Sequence, residues 1–115
     1  MEFCQSIRNT PEFNSKIKKI EELEDSQQYR KAFEALIIFI QMINAYIIKN
    51  KLQIEKNLKN SFFSFIDIYK ENKLDNLYRY MLSILSIYEE YPSDYIDLDF
   101  QKLKTYTDLI VNEVF

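Results

Sequence analysis

The chain of 115 residues contains no glycine, no histidine and no tryptophan, and only one cysteine and two prolines. Average usage would supply about eight glycines. Their absence removes the glycine-rich phosphate cradles, the G-x-S-x-G nucleophile elbow and the standard EF-hand loop. Without histidine there is no Ser-His-Asp or Cys-His activation, no H-E-x-x-H zinc site and no Glu-x-x-His di-iron bundle motif. A lone Cys4 makes neither an intramolecular disulfide nor a zinc ribbon or iron–sulfur cluster within one chain, and it fits a reducing compartment. The expectation is therefore no metal and no cofactor. Carboxylate-only chemistry survives, resting on Arg79, Glu89 or Glu90 and tyrosine hydroxyls, none with an ordinary pKa near 7.

Long hydrophobic runs are also missing. The most apolar stretch, Ala35 to Ile48, spans 14 residues and includes Gln41 and Asn44. A bilayer crossing needs about 20, so this stretch reads as a core helix. Met1 to Ser6 lacks a basic region followed by an apolar stretch, the pattern of a signal peptide. A cytoplasmic protein without a membrane partner is expected. Ile (16), Lys (12) and Asn (9) are abundant while Ala (3) and Arg (3) are scarce, so AT-rich codon usage accounts for part of the composition.

What is present is helical pattern. The chain is 47% hydrophobic with 9 Tyr and 9 Phe, which argues against disorder. Thr10-Pro11-Glu12 is a helix start, with Phe13, Ile17, Ile20 and Leu23 on one face. A second helix runs from about Ser26 to Asn50, capped by Asp25 or Ser26. Its polar stripe is narrow (Arg30, Glu34, Gln41, Asn44, Lys51), and its wide apolar arc implies several neighbours. A third follows from about Leu52 to Glu71, carrying Leu58, Phe62, Phe65, Ile66 and Tyr69. Asp75 caps a fourth, whose stripe is Leu77, Met81, Ile84, Leu85 and Tyr88, and Pro92 ends it. Asp97 or Asp99 caps the last, with a Leu98–Leu103 staple around Asp99. No alternating strand is evident. The expected architecture is a compact all-α antiparallel bundle with short loops: four long helices plus a short N-terminal one. It forms a single domain over 1–115, and residues 1–9 are expected to be a flexible lead-in, with Cys4 in a frayed terminus. With no glycine for left-handed helix ends, Asn50 and Asn72 are expected to take that conformation.

Candidate contact residues follow from what this pattern leaves over. Tyr78 and Tyr80 diverge by about 200° on a helix, so they cannot share one buried stripe. With Tyr91 and Tyr95 they crowd one region, and tyrosine is enriched at interfaces. Ile37 and Ile48 fall inside the polar stripe of the second helix, where either a neighbour covers them or a partner does. Glu89, Glu90, Asp94, Asp97 and Asp99 form an acidic patch with no Lys or Arg between them; it could meet a basic surface, or simply cap and solvate. Lys49, Lys51, Lys56 and Lys59 form a basic patch. Residues 1–60 carry net +2 and residues 61–115 net −5. No recognition helix or RNA-binding aromatic motif accompanies the lysines, which weighs against nucleic acid.

Two resemblances are visible. Tyr29-x3-Phe33, Ile43-Asn44 and Ser61-Phe62 through Tyr91 resemble the HEPN domains of toxin–antitoxin and nucleotidyltransferase pairs. That family's ribonuclease signature is an arginine followed four to six residues later by histidine. Arg79 has no such histidine, so the resemblance implies a non-catalytic or weakly active member. Leu77-Tyr78-Arg79-Tyr80-Met81 resembles flagellar export chaperones, without the glycine-containing motif of that family's N-terminal half. The expected function is a non-enzymatic protein-binding module that sequesters or inhibits a protein partner, as chaperones, antitoxins, immunity proteins and phage-type inhibitors do. Self-association as a homodimer is a second mode of the same surface.

Overall fold

A computed structural model describes residues 2–56, 59 and 61–115. Thr10 takes an extended conformation and Pro11 occupies the first helical position, so α1 (Pro11–Asp25) starts where the sequence places it, although the Thr10 hydroxyl makes no cap hydrogen bond. It is followed by α2 (Tyr29–Tyr46), α3 (Phe62–Glu71), α4 (Asp75–Glu89) and α5 (Ile96–Val114). A π turn, Ile47–Lys51, extends α2, and a 3₁₀ turn, Gln5–Ile7, precedes α1. The described residues contain no strand. The protein is an all-α bundle whose radius of gyration, 13.6 Å, is close to the ~13 Å of a compact chain of this length.

Phe13, Ile17, Ile20 and Leu23 are buried on α1 as their spacing requires. On α2 the buried residues Ala32, Phe33, Leu36, Ile37, Phe39, Ile40, Ile43 and Asn44 span a wide arc, and the helix packs against both α1 and α5. With its π turn, α2 makes a span of 23 residues, Tyr29–Lys51, long and apolar enough to cross a membrane; more than half of its most apolar 18-residue stretch is buried in the core.

The topology departs from a simple up-and-down bundle. Phe13 meets Tyr46, and Asn76 meets Glu113, so α1–α2 and α4–α5 run antiparallel. Tyr29 faces Phe100 and Tyr46 faces Phe115, so α2 and α5 run parallel. The Tyr69 hydroxyl reaches Asn44, while Phe62 packs on Tyr88 beside Ile37, so α3 also runs parallel to α2. The chain must therefore return the length of the bundle between Lys51 and Ser61. A helix rises only ~1.5 Å per residue, whereas non-helical chain covers up to ~3.3 Å, so α3 cannot begin at Leu52. It begins ten residues later, with Ser61 Oγ accepting from the Ser64 amide. Leu58, expected in this helix, lies outside the described residues.

Other helix ends also correct the sequence reading. Gln28, Leu74 and Tyr95 are the N-cap residues of α2, α4 and α5, and none makes a side-chain cap. Ser26 instead closes α1, its hydroxyl donating to the Glu22 carbonyl. Asp75 is the first helical residue of α4; Asp97 and Asp99 lie inside the first turn of α5, where carboxylates favour the helix dipole without capping. The Leu98–Leu103 staple is absent, since Leu103 is buried and Leu98 exposed. On α4 the buried stripe is Leu77, Met81, Ile84 and Ile87; Tyr88 stands out of it.

Left-handed residues are Cys4, Gln27, Gln53 and Lys73, not Asn50 or Asn72. Gln27 and Lys73 each follow a helix C-cap. The Gln28 amide bonds to the Leu23 carbonyl and the Gln27 amide to Glu24; Leu74 and Lys73 do the same to Tyr69 and Lys70. Both ends are thus Schellman motifs built without glycine. Asn72 instead keeps a negative φ and donates its side-chain amide to the Ile68 carbonyl.

The N-terminal segment is docked. Phe3, Cys4 and Ile7 are buried in the core, the Cys4 amide donates to Asp108 Oδ1 at 2.7 Å, and Arg8 makes a two-pronged contact with Glu21. Burial, with Asp108 adding to it, pushes the Cys4 thiol far above its ordinary range, so it is no reactive thiolate in a frayed end.

Candidate protein-contact groove

Where α3 begins, α2 and the end of α4 leave a groove of about 320 Å³, lined by Phe33, Glu34, Ile37, Ile38, Tyr88 and Tyr91. Phe33 and Ile37 are its core-facing members. Tyr91 stacks on Phe33 with ring centroids 4.9 Å apart. Its hydroxyl donates to Glu34 Oε1 at 2.8 Å, and the Arg30 guanidinium lies 5.8 Å from its ring. The Glu34 hydrogen bond, first among the causes, raises the Tyr91 pKa. On the open side Ile38 is 61% exposed and Tyr88 44%. Phe62 meets Tyr88 edge-on at 5.3 Å, and its neighbour Phe63 is exposed.

The groove exists because α3 is short. On α2 the positions 37, 41, 44 and 48 form one face, and its C-terminal part is covered. Asn44 is fully buried, its Nδ2 donating to the Ile40 carbonyl at 2.7 Å and its Oδ1 accepting from the Tyr69 hydroxyl at 2.6 Å. Ile48 is 0% exposed, and the returning chain bonds to it through the Ile54 amide. The N-terminal half of α2 meets the Tyr88–Tyr91 end of α4 at the groove, and Ile38 stays in solvent.

Of the expected contact residues, Tyr91 and Ile37 meet at this groove. Ile48 does not: it belongs to the core, because a polar stripe on a wheel becomes interior when a tyrosine supplies the partner its asparagine needs. Tyr95 is 70% exposed four residues beyond Tyr91. Tyr78 and Tyr80 are half-buried on α4, with Tyr80 6.5 Å from Tyr106. Ile38 and Tyr88 also line the groove and were not among the expected contact residues. The signal for Ile38 was an apolar arc on α2 wider than the remaining helices can cover.

The acidic residues divide. Glu89, Glu90, Asp94 and Asp97 are exposed, while Asp99 is turned inward. Glu89 and Glu90 sit at the C-terminal end of α4, where the helix dipole disfavours anions. Among the described residues, no ion pair involves Glu34, Glu89, Glu90 or Asp94. Nor, among those residues, do three potential metal-ligating side chains gather. The lysines of the expected basic patch have different surroundings. Lys49 and Lys51 lie in the π turn, with Lys51 4.9 Å from the Phe115 ring; Lys56 pairs with Glu71, and Lys59 lies just before Ser61. Arg79 is exposed, and Glu89 follows it ten residues later on the same helix, about 15 Å along the axis.

A larger cleft lies at the other end of α4. About 570 Å³ are enclosed by Lys51, Leu52, the α4 start from Lys73 to Leu77, Glu113 and Val114. Its charges oppose one another, two lysines against Asp75 and Glu113, and Asn76 already bonds Glu113. No family model, curated protein or solved structure matches the chain.

Proposed function

We propose that this chain is a non-enzymatic protein-binding module that sequesters or inhibits a protein partner, and that its contact face is the groove between α2 and the end of α4. The observation that carries the reading is the pairing of Ile38 and Tyr88, both large and both open to solvent, above a lining continuous with the core. Single exposed apolar residues are ordinary; an apolar recess ringed by polar groups is the form that contact sites take. Tyr88 and Tyr91 suit this role, since each offers apolar area with a polar tip.

The test is capture. Tagged protein, incubated with extract of its native host, retains a specific partner, and light scattering reports a complex larger than the monomer. Ile38→Asp abolishes retention while leaving the thermal midpoint within about 2 °C, since exposed positions change stability by under ~0.5 kcal/mol. A strict monomer that retains nothing at micromolar concentration refutes the proposal. A homodimer broken by Ile38→Asp assigns the same face to self-association.

A further inference from the structure

We infer that the occupant of this groove is an amphipathic α-helix of a partner protein, with apolar residues on one face and Lys or Arg beside them. The inference rests on the protein-binding reading and names what is bound. Three observations support it.

The first is how the backbone of an occupant must be satisfied. The described part of this protein has no sheet, hence no strand edge along which an extended peptide could add. The groove has few polar groups: the Glu34 carboxylate and the Tyr91 hydroxyl, which bond each other, and the hydroxyl at the tip of the solvent-exposed Tyr88. An extended segment would lay its N–H and C=O groups against Phe33, Ile37, Ile38 and Tyr88 without partners, and each unpaired buried group costs about 1–3 kcal/mol. A helix brings its backbone bonds with it and presents only side chains.

The second is charge. Glu34 lines the groove, and Glu89, Glu90 and Asp94 surround its Tyr88–Tyr91 end. The nearest cation placed by contact is Arg30, which lies over the Tyr91 ring. Two of these carboxylates stand at the unfavourable end of the α4 dipole, where a cation from outside would relieve both. Steering by complementary charge then favours a basic partner and accelerates encounter.

The third excludes a second copy in the symmetric arrangement. A two-fold dimer sets the same patch against itself, so the acidic residues Glu34, Glu89 and Glu90 of one chain would face a surface of the same charge sign on the other. Like charges across an interface oppose such pairing.

The experiment uses the full-length protein and a displayed library of random 16-residue peptides, selected on the immobilised chain and counter-selected on Ile38→Asp. The expected winners carry apolar residues at i, i+3 or i+4 and i+7, with an excess of Lys and Arg. Synthesised, they gain helical circular dichroism on binding. They weaken at least tenfold toward Ile38→Asp and several-fold toward the double variant Glu89→Lys, Glu90→Lys, whose melting is unchanged. Rising salt weakens them too. Enrichment of acidic or proline-rich extended peptides, or of helical peptides indifferent to Ile38→Asp, overturns the inference. So does a library that yields no groove-dependent peptide while host extract still delivers a partner through the groove. That last result leaves the protein-binding reading intact, whereas failed capture from host extract strikes the reading itself.

Discussion

A recess lies at each end of α4, and the two differ in what they leave undone. At Asp75 the larger recess holds both signs of charge, with Asn76 bonded to Glu113. At Tyr88 the smaller one exposes apolar side chains, and charge of one sign predominates at its rim. Volume alone would favour the first. Unsatisfied chemistry favours the second, because burying apolar area and neutralising unpaired carboxylates both lower free energy, whereas the polar cleft already satisfies itself.

The same contrast runs along α2 in its isoleucines, and it gives the largest expected effect. Ile48, 0% exposed under the returning chain, should cost about 2–5 kcal/mol when replaced by alanine. Ile38, ten residues earlier on the same helix, should cost less than ~0.5 kcal/mol. Urea unfolding of both variants measures the gap. If Ile38→Ala also loses more than 1 kcal/mol, that residue is packed rather than open, and the groove is not a free surface.

Next in size is the buried pair that closes the covered half of α2. Burial raises the Tyr69 hydroxyl well above its ordinary pKa, so it stays protonated and donates to Asn44. Tyr69→Phe strands the Asn44 oxygen and should cost about 1–3 kcal/mol. Replacing both, as Tyr69→Phe with Asn44→Leu, should recover part of that loss, because two apolar groups leave nothing unpaired. A double variant no more stable than Tyr69→Phe alone would mean that the pair's geometry, not its desolvation, dominates.

The glycine-free helix ends give a gain instead of a loss. Left-handed conformation strains a residue bearing Cβ by about 1–2 kcal/mol, and glycine returns part of this as chain entropy. Lys73→Gly at the polar end of α4 and Gln27→Gly between α1 and α2 should each stabilise the fold by about 0.5–1 kcal/mol, read as a rise of a few degrees in midpoint. A fall at either site would show that its side chain contributes more than its backbone loses.

These cases also mark how far the sequence could be read. The buried face of α1 and the start at Thr10-Pro11 were legible, since helical periodicity and proline at the first position act locally. Which residue would turn left-handed was not. Position after the C-cap decides that, and Asn72 lost the role by sitting one residue early. The start of α3 was also hidden: nothing local distinguishes a crossover from a continued helix when the determinant is that α3 lies parallel to α2. That one topological fact decides why Ile48 is covered and Ile38 is not, so the groove could not be found before the fold. The tyrosine-rich stretch was visible, but of Tyr78, Tyr80, Tyr91 and Tyr95 only Tyr91 lines the groove, and Tyr88, which also lines it, was assigned to the core stripe.

The smallest expected effect lies beside the groove end, where α1 meets α5. Glu24 accepts from Gln101 Nε2 at 2.7 Å and from Lys104 Nζ at 2.8 Å. Burial alone would raise its pKa, but these two hydrogen bonds and the lysine charge outweigh burial and lower it. A carboxylate with a depressed folded pKa adds stability above its unfolded value, about 4.3, and loses it as pH falls through the folded value. Glu24→Gln should therefore cost about 0.5 kcal/mol at pH 7, and the difference from the parent should shrink towards zero as pH drops below 4. At pH 7 the cost should also diminish in 1 M salt, although partial burial protects the pair from full screening. A constant difference from pH 7 to pH 3 would assign the loss to hydrogen-bond geometry with Gln101 rather than to charge.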